Sequence, residues 1–189
     1  MDKNIFENVL ENIKSEDIKD YARNCIETIP EYFYEVPASS TVKYHPDYAV
    51  TKHGLLKHTL AVCRILNHIL SLDCFNFDLT QRERELMLVA AIMHDSRKSG
   101  SQERYESDST TCFEHPLLAA EVVRGVDGLC DDEKEVVAKI IETHMGQWIT
   151  SKYSEKVLPK IDNDNKLQKL VHLADYLASR KDIEVKIEL

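Results

Sequence analysis

Apolar residues recur along this chain at spacings of three and four and almost nowhere at two, which restricts it to helices packed against helices. Only five glycines and five prolines interrupt its 189 residues. Ile5, Val9, Leu10 and Ile13 form one helical set, and Ile18, Ala22, Cys25, Ile26 and Ile29 form a second that runs to Pro30. Leu55, Val62, Ile65, Leu66 and Ile69 share one face of a helix over 55–70. Thr80 and Glu83 make a capping box that opens a helix ending at Met93. Pro116 suits a first helical turn, and Asp131, Asp132 and Glu133 put negative charge where another helix begins. A last helix is expected over 163–181. The stretch 30–50, with three prolines and several aromatics, reads as an ordered loop lying over the helical body. Residues 183–189 alternate apolar with charged and read as a short strand or a frayed end. The expectation is an all-α, single-domain helical bundle covering 1–189.

Composition narrows the class. With 43% hydrophobic and 30% charged residues the chain can bury a real core. A formal charge of −9 disfavours long nucleic acid as a partner but leaves room for a small anion in a locally positive pocket. Cys25, Cys63, Cys74, Cys112 and Cys130 are odd in number and include no CxxC pair, which suits a reduced, cytoplasmic protein. The acidic, polar start does not read as a signal peptide, and no apolar run reaches the roughly 18 residues of a membrane span. Neither a membrane nor a particular oligomeric state is called for.

The stretch LVAAIMHD, 88–95, runs an apolar helix end straight into His94 and Asp95. Burying their charged forms unpaired costs several kcal/mol, on the order of what a small domain can spare. His58 falls in the middle of the apolar face of 55–70. His144 lies at the centre of the stripe Val136, Val137, Ile140 and Ile141, and His115 shares a face with Leu118, Ala119 and Val122. Asp175 flanks the stripe of the last helix at about 80° from its centre. A single inward histidine is usually a hydrogen-bonded core residue. Four of them with two aspartates need a common remedy, and a divalent metal supplies it, since imidazole and carboxylate both ligate first-row ions. Neighbouring helical residues point about 100° apart, so His94 and Asp95 can share a centre only near a helix end. His68, at a rim, and His172, on a polar side, read as solvated or structural, His53 falls outside the helix stripe, and His45 belongs to the aromatic loop.

The order His58, His94-Asp95, Asp175 on a helical chain of this size resembles the HD superfamily of metal-dependent phosphohydrolases. The surrounding blocks carry the resemblance: GLLKHTLAV, AAIMHDSRKS, EHPLLAAEVV, IIETHMGQW and VHLADYLASR. They span roughly 37–181, leaving the N-terminal helices of 1–36 and the tail of 182–189 outside. The resemblance implies that His58, His94, Asp95 and Asp175 hold one ion. It implies a second ion on His115 and His144, with Asp95 bridging. Mn, Fe, Co, Ni and Zn all accept such ligands, and Mg is possible. Where many relatives read HDIGK, this chain reads HDSRK, which keeps Lys98 and adds Arg97.

The implied chemistry is hydrolysis of a phosphoester, in a nucleotide or related small phosphate, by a water activated between two ions that share Asp95. Asp95 and Lys98 are the expected catalytic residues. Lys98, Arg97 and Arg180 are expected to stabilise phosphate charge, with Arg97 equally readable as a solvated loop residue. Tyr32, Phe33, Tyr34, Tyr44, His45 and Trp148 offer either a stacking surface for a base or core packing. Two other readings stay open: a di-iron oxygenase built on the same six residues, and a non-catalytic, metal-dependent nucleotide-binding module.

Overall fold

The computed structural model describes residues 3–39, 43–72, 74, 78–183, 185 and 187. Eight α-helices occur among them: α1 (Glu7–Leu10), α2 (Glu16–Glu27), α3 (Gly54–Leu70), α4 (Gln81–Met93), α5 (Gln102–Ser107), α6 (His115–Gly125), α7 (Asp131–Thr143) and α8 (Lys166–Ala178). A helix apolar on every side is stable only between other helices. α4 is that helix: every residue from Glu85 to Met93 is buried, and it packs against α2, α3, α7 and α8. α6 and α7 pack along each other, and α3 lies along α8. One apolar cluster runs from Phe6 to Ala178 through all of these helices except the short α5.

The local signals act as their chemistry requires. The Thr80 side chain accepts from the backbone of Glu83 and the Glu83 carboxylate accepts from the backbone of Thr80, which closes the capping box at the start of α4. α8 is shorter than 163–181 because Asn165 caps it, its side chain accepting from the backbone N–H of Gln168. The aromatic loop holds two 3₁₀ turns, Glu31–Tyr34 and Asp47–Val50. The first turn buries Tyr32, Phe33 and Tyr34 in the core, so packing and not ligand stacking accounts for those three rings. The loop closes against the start of α3, where a Cβ on Gly54 would run into the backbone of Ala49. At the C-terminus no strand forms among the described residues. Val185 and Ile187 pack half-buried against the core, and residues 184, 186, 188 and 189 lie outside the described residues.

One carboxylate sits inside this apolar centre. Glu85 is fully buried and accepts from the backbone N–H of Lys14 at 2.7 Å, from that of Ser15 at 3.3 Å and from Gln81 Nε2 at 2.8 Å. Ser15 occupies the N-cap of α2 without a side-chain capping bond, so a carboxylate from α4 serves the positive end of α2 in its place. Glu85→Ala should strand these donors and lower stability by about 1–3 kcal/mol. Urea unfolding followed by circular dichroism checks it: the midpoint should fall in Glu85→Ala and largely recover in Glu85→Gln, which can still accept.

Candidate metal centre

Helix ends bring the polar residues together. His94 and Asp95 follow the last residue of α4, His144 follows the last residue of α7, His115 opens α6, His58 projects from α3, and Asp175 projects from α8. Five of the six are buried, and the Asp175 side chain is 18% exposed. His94, His115 and His144 repeat one local device. Each Nδ1 lies 2.7–2.8 Å from the carbonyl oxygen three residues back, that of Ala91, Cys112 and Ile141 in turn. A carbonyl only accepts, so Nδ1 carries the proton and the lone pair is left on Nε2.

Those Nε2 atoms converge on the two carboxylates. Asp95 Oδ1 lies 2.9 Å from His115 Nε2 and 3.5 Å from His144 Nε2, while Asp95 Oδ2 lies 3.7 Å from His94 Nε2. Asp175 Oδ1 lies 3.0 Å from His58 Nε2 and 3.9 Å from His94 Nε2. His115 and His144 face each other Nε2 to Nε2 at 3.3 Å. With the Nδ1–H tautomer fixed in His94, His115 and His144, the contacts of these three rings set acceptor against acceptor. Burial lowers His94 and His115 to about 4, so neither of these two rings gains a proton near neutral pH. Burial by itself would push the Asp95 carboxyl up, but the neighbouring Lys98 ammonium leads the groups that outweigh it and hold Asp95 well below the carboxylate range. His94 Nε2 is buried without a hydrogen-bond partner.

A divalent ion fits this donor set. The ligand atoms fall into three overlapping groups, His58/His94/Asp95, His94/His144/Asp175 and Asp95/His115/His144, each within 4.8 Å. Metal–nitrogen and metal–oxygen bonds of roughly 2.0–2.2 Å span such gaps after small adjustments. The orphaned His94 Nε2 and the facing imidazoles are what a cation would satisfy.

A cavity of 630 Å³ opens onto His58, Asp95, His144 and Asp175. Lys98 lies on its wall with Nζ 3.0 Å from Asp95 Oδ2. His45 lines it as well, with a buried and unpartnered Nδ1, and burial lowers this imidazole to about 4. Arg180 lies at the mouth, its guanidinium over Tyr176 at 4.6 Å and Tyr44 at 5.6 Å, and Trp148 stands nearby. Arg97 is not brought to the cavity. Its guanidinium donates to the Thr28 carbonyl at 2.9 Å and lines a separate recess beside Ser101, because consecutive residues in the tight turn after Asp95 point apart.

Three residues outside the cluster support it, and His172 takes the structural of its two expected roles. His172 is half-buried, and its Nδ1–H donates to the carbonyl of His144 at 2.7 Å, buttressing the turn behind that imidazole. Gly146 has φ 62°, and a Cβ there would collide with the His172 ring, so this turn needs glycine twice over. Tyr32 donates from its hydroxyl to the Gly100 carbonyl at 2.8 Å and accepts from the Ser99 N–H at 3.1 Å, which anchors the loop carrying Lys98.

Comparison by family then agrees with the geometry. The family model of the HD domain matches residues 55–180, a span that contains all six clustered His and Asp residues. The chain belongs to the HD-domain family. No curated protein and no solved structure matches it significantly. HD-domain proteins are as a class metal-dependent hydrolases, and the His/Asp cluster of this HD domain suits a metal site. No helix among the described residues is long and apolar enough to cross a membrane.

Two outcomes are expected. Adding Mn²⁺, Co²⁺ or Zn²⁺ to metal-stripped protein should raise its melting temperature by several degrees, through binding to the folded state alone, and Asp95→Ala should abolish the rise in a thermal-shift assay. In the metal-free protein, His94 and His115 titrate near 4 when folded and near 6.5 when unfolded. Their contribution is therefore complete above about pH 6.5 and is lost as pH falls toward 4. Urea midpoints at pH 7 and pH 5 read this directly.

Proposed function

We propose that this protein is a metal-dependent phosphohydrolase that cleaves a phosphoester bond of a nucleotide or related small phosphate, with two divalent ions sharing Asp95. The observation that carries the reading is the split carboxylate: Asp95 presents Oδ1 to His115 and His144 and Oδ2 to His94, at the floor of an open cavity. His58, His94 and Asp175 would hold one ion, and His115 and His144 the other. When bound, the ions supply Lewis-acid neutralisation of phosphoryl oxygens and lower the pKa of water toward neutrality.

The chain's own residues do the rest. Lys98 sets a fixed positive charge beside the floor, and its ion pair with Asp95 orients the ammonium before substrate arrives. Arg180 is held over two aromatic faces at the cavity mouth, where it meets an anion as it enters. Burial keeps His45 neutral, so it lines the cavity without adding a charge. On a chain of net charge −9, Arg180 makes the mouth a local attractor for a small anion.

The test is turnover by protein loaded with Mn²⁺, Co²⁺ or Fe²⁺ across mono-, di-, tri- and cyclic nucleotides and generic phosphodiesters. Phosphate or nucleoside release is expected. Lys98→Ala should cut kcat by about 100-fold while the metal content stays intact. No release across the panel with metal bound, or oxygen uptake under iron loading, would overturn the hydrolase reading.

A further inference from the structure

The mouth of the cavity gathers three exposed aromatic rings in one place. Tyr32, Phe33 and Tyr34 are all buried, yet Trp148, Tyr176 and Tyr44 are 43%, 36% and 51% exposed, and all three line the same opening. The chain's single tryptophan is thus left in water at a rim, forgoing much of the area it would otherwise bury. The rings are also ordered against one another. Trp148 and Tyr176 are nearly parallel, 11° between planes and 6.0 Å between centroids. His172 stands edge-on to Trp148 at 6.2 Å, and its bond to the His144 carbonyl locks that ring in place.

This wall is tied to the metal centre by the backbone itself. Tyr176 directly follows Asp175, and Trp148 stands four residues after His144. The two segments that bring those ligand atoms to the floor therefore bring the rings to the rim. Lys98 and Arg180 are the cavity's only Lys or Arg side chains among the described residues, and Lys98 already faces Asp95. With Lys98 paired to Asp95, Arg180 is the lining cation left to meet a ligand, which suits a single phosphate better than a chain of them.

Building on the hydrolase reading, we propose that the substrate is a nucleoside monophosphate whose base stacks on the Trp148–Tyr176 wall, with Arg180 held between Tyr176 and Tyr44 to meet its phosphate or sugar edge. Trp148 and Tyr176 then determine specificity, because a bare sugar phosphate engages the floor and leaves the wall empty. The stacking is tolerant of base identity, since every base has a π-face.

Trp148 reports on the site directly, being the only tryptophan in the chain. The probes are the adenosine, guanosine, cytidine and uridine 5′-monophosphates, with ribose 5-phosphate as the partner that lacks a base. Fluorescence of zinc-loaded protein should be quenched by at least one nucleotide and not by ribose 5-phosphate. Tyr176→Ala should weaken nucleotide affinity by about 10-fold or more, the usual loss of one stacking partner. In turnover, the ratio of kcat/KM for that nucleotide to kcat/KM for ribose 5-phosphate should exceed about 10, collapse in Trp148→Ala and largely return in Trp148→Phe, which keeps a ring. Equal quenching by both probes, no quenching by any nucleotide, or an unchanged ratio in Trp148→Ala would overturn the proposal. If no phosphate is released from any substrate but quenching is base-dependent and sensitive to Tyr176→Ala, the hydrolase reading fails while the aromatic wall stands.

Discussion

The site depends on one hydrogen bond used three times: a histidine Nδ1–H donating to the carbonyl three residues before it. At the C-terminus of a helix the last carbonyls have no intrahelical partner, and something must satisfy them. His94 does so for Ala91 at the end of α4, and at the end of α7 the His144 ring joins its own backbone N–H on the Ile141 carbonyl. Each capping contact fixes a tautomer at the same time, because the proton spent on the carbonyl leaves Nε2 as a bare acceptor aimed at the centre. Two helix C-termini therefore deliver both their ligand atoms and their negative partial charge to one place. A cation there is favoured by the side chains and by the backbone together.

The arrangement also explains why this much polarity survives in the core. The residues come from α3, the end of α4, the start of α6, the end of α7 and from α8, so the cluster is a crossing point of most of the bundle. α4 reaches it through a fully apolar run, and the nearest buried charge on that helix, Glu85, lies well over two turns away at the junction with the N-terminal helices. Each end of the central helix thus has a polar task. Between them lies apolar packing.

How far this was legible from sequence follows from the range of each interaction. Helical periodicity decides which face a residue occupies, and that was enough to turn His58, His115 and His144 inward and to place His94 and Asp95 at a helix end. The capping box at Thr80 depends on two residues three apart and could be read directly. Arg97 was less tractable: in a tight turn, neighbours diverge by an amount that no period predicts, and its partner Thr28 is 69 residues away. His172 lies on the polar side of its own helix and still finds a structural role, since its acceptor is the backbone of another segment. Glu85 reads as an ordinary exposed position near a helix start and is buried only because residues 14 and 15 fold over it.

The cluster also has an inside and an outside, and the difference bears on what each residue can do. His58, Asp95, His144 and Asp175 reach the cavity, while His94 and His115 do not line it and are fully or almost fully buried. The inner pair can orient and hold but cannot touch anything that enters. Asp95 belongs to both groups, one oxygen toward His115 and His144 and the other toward His94, with Lys98 donating to both. Any charge that arrives from the cavity therefore meets a carboxylate whose position is set from behind by two imidazoles that solvent does not reach. Rigidity at the floor comes from the buried side, and choice among ligands is left to the mouth. There the exposed rings and the arginine that lies across them are what an entering ligand meets.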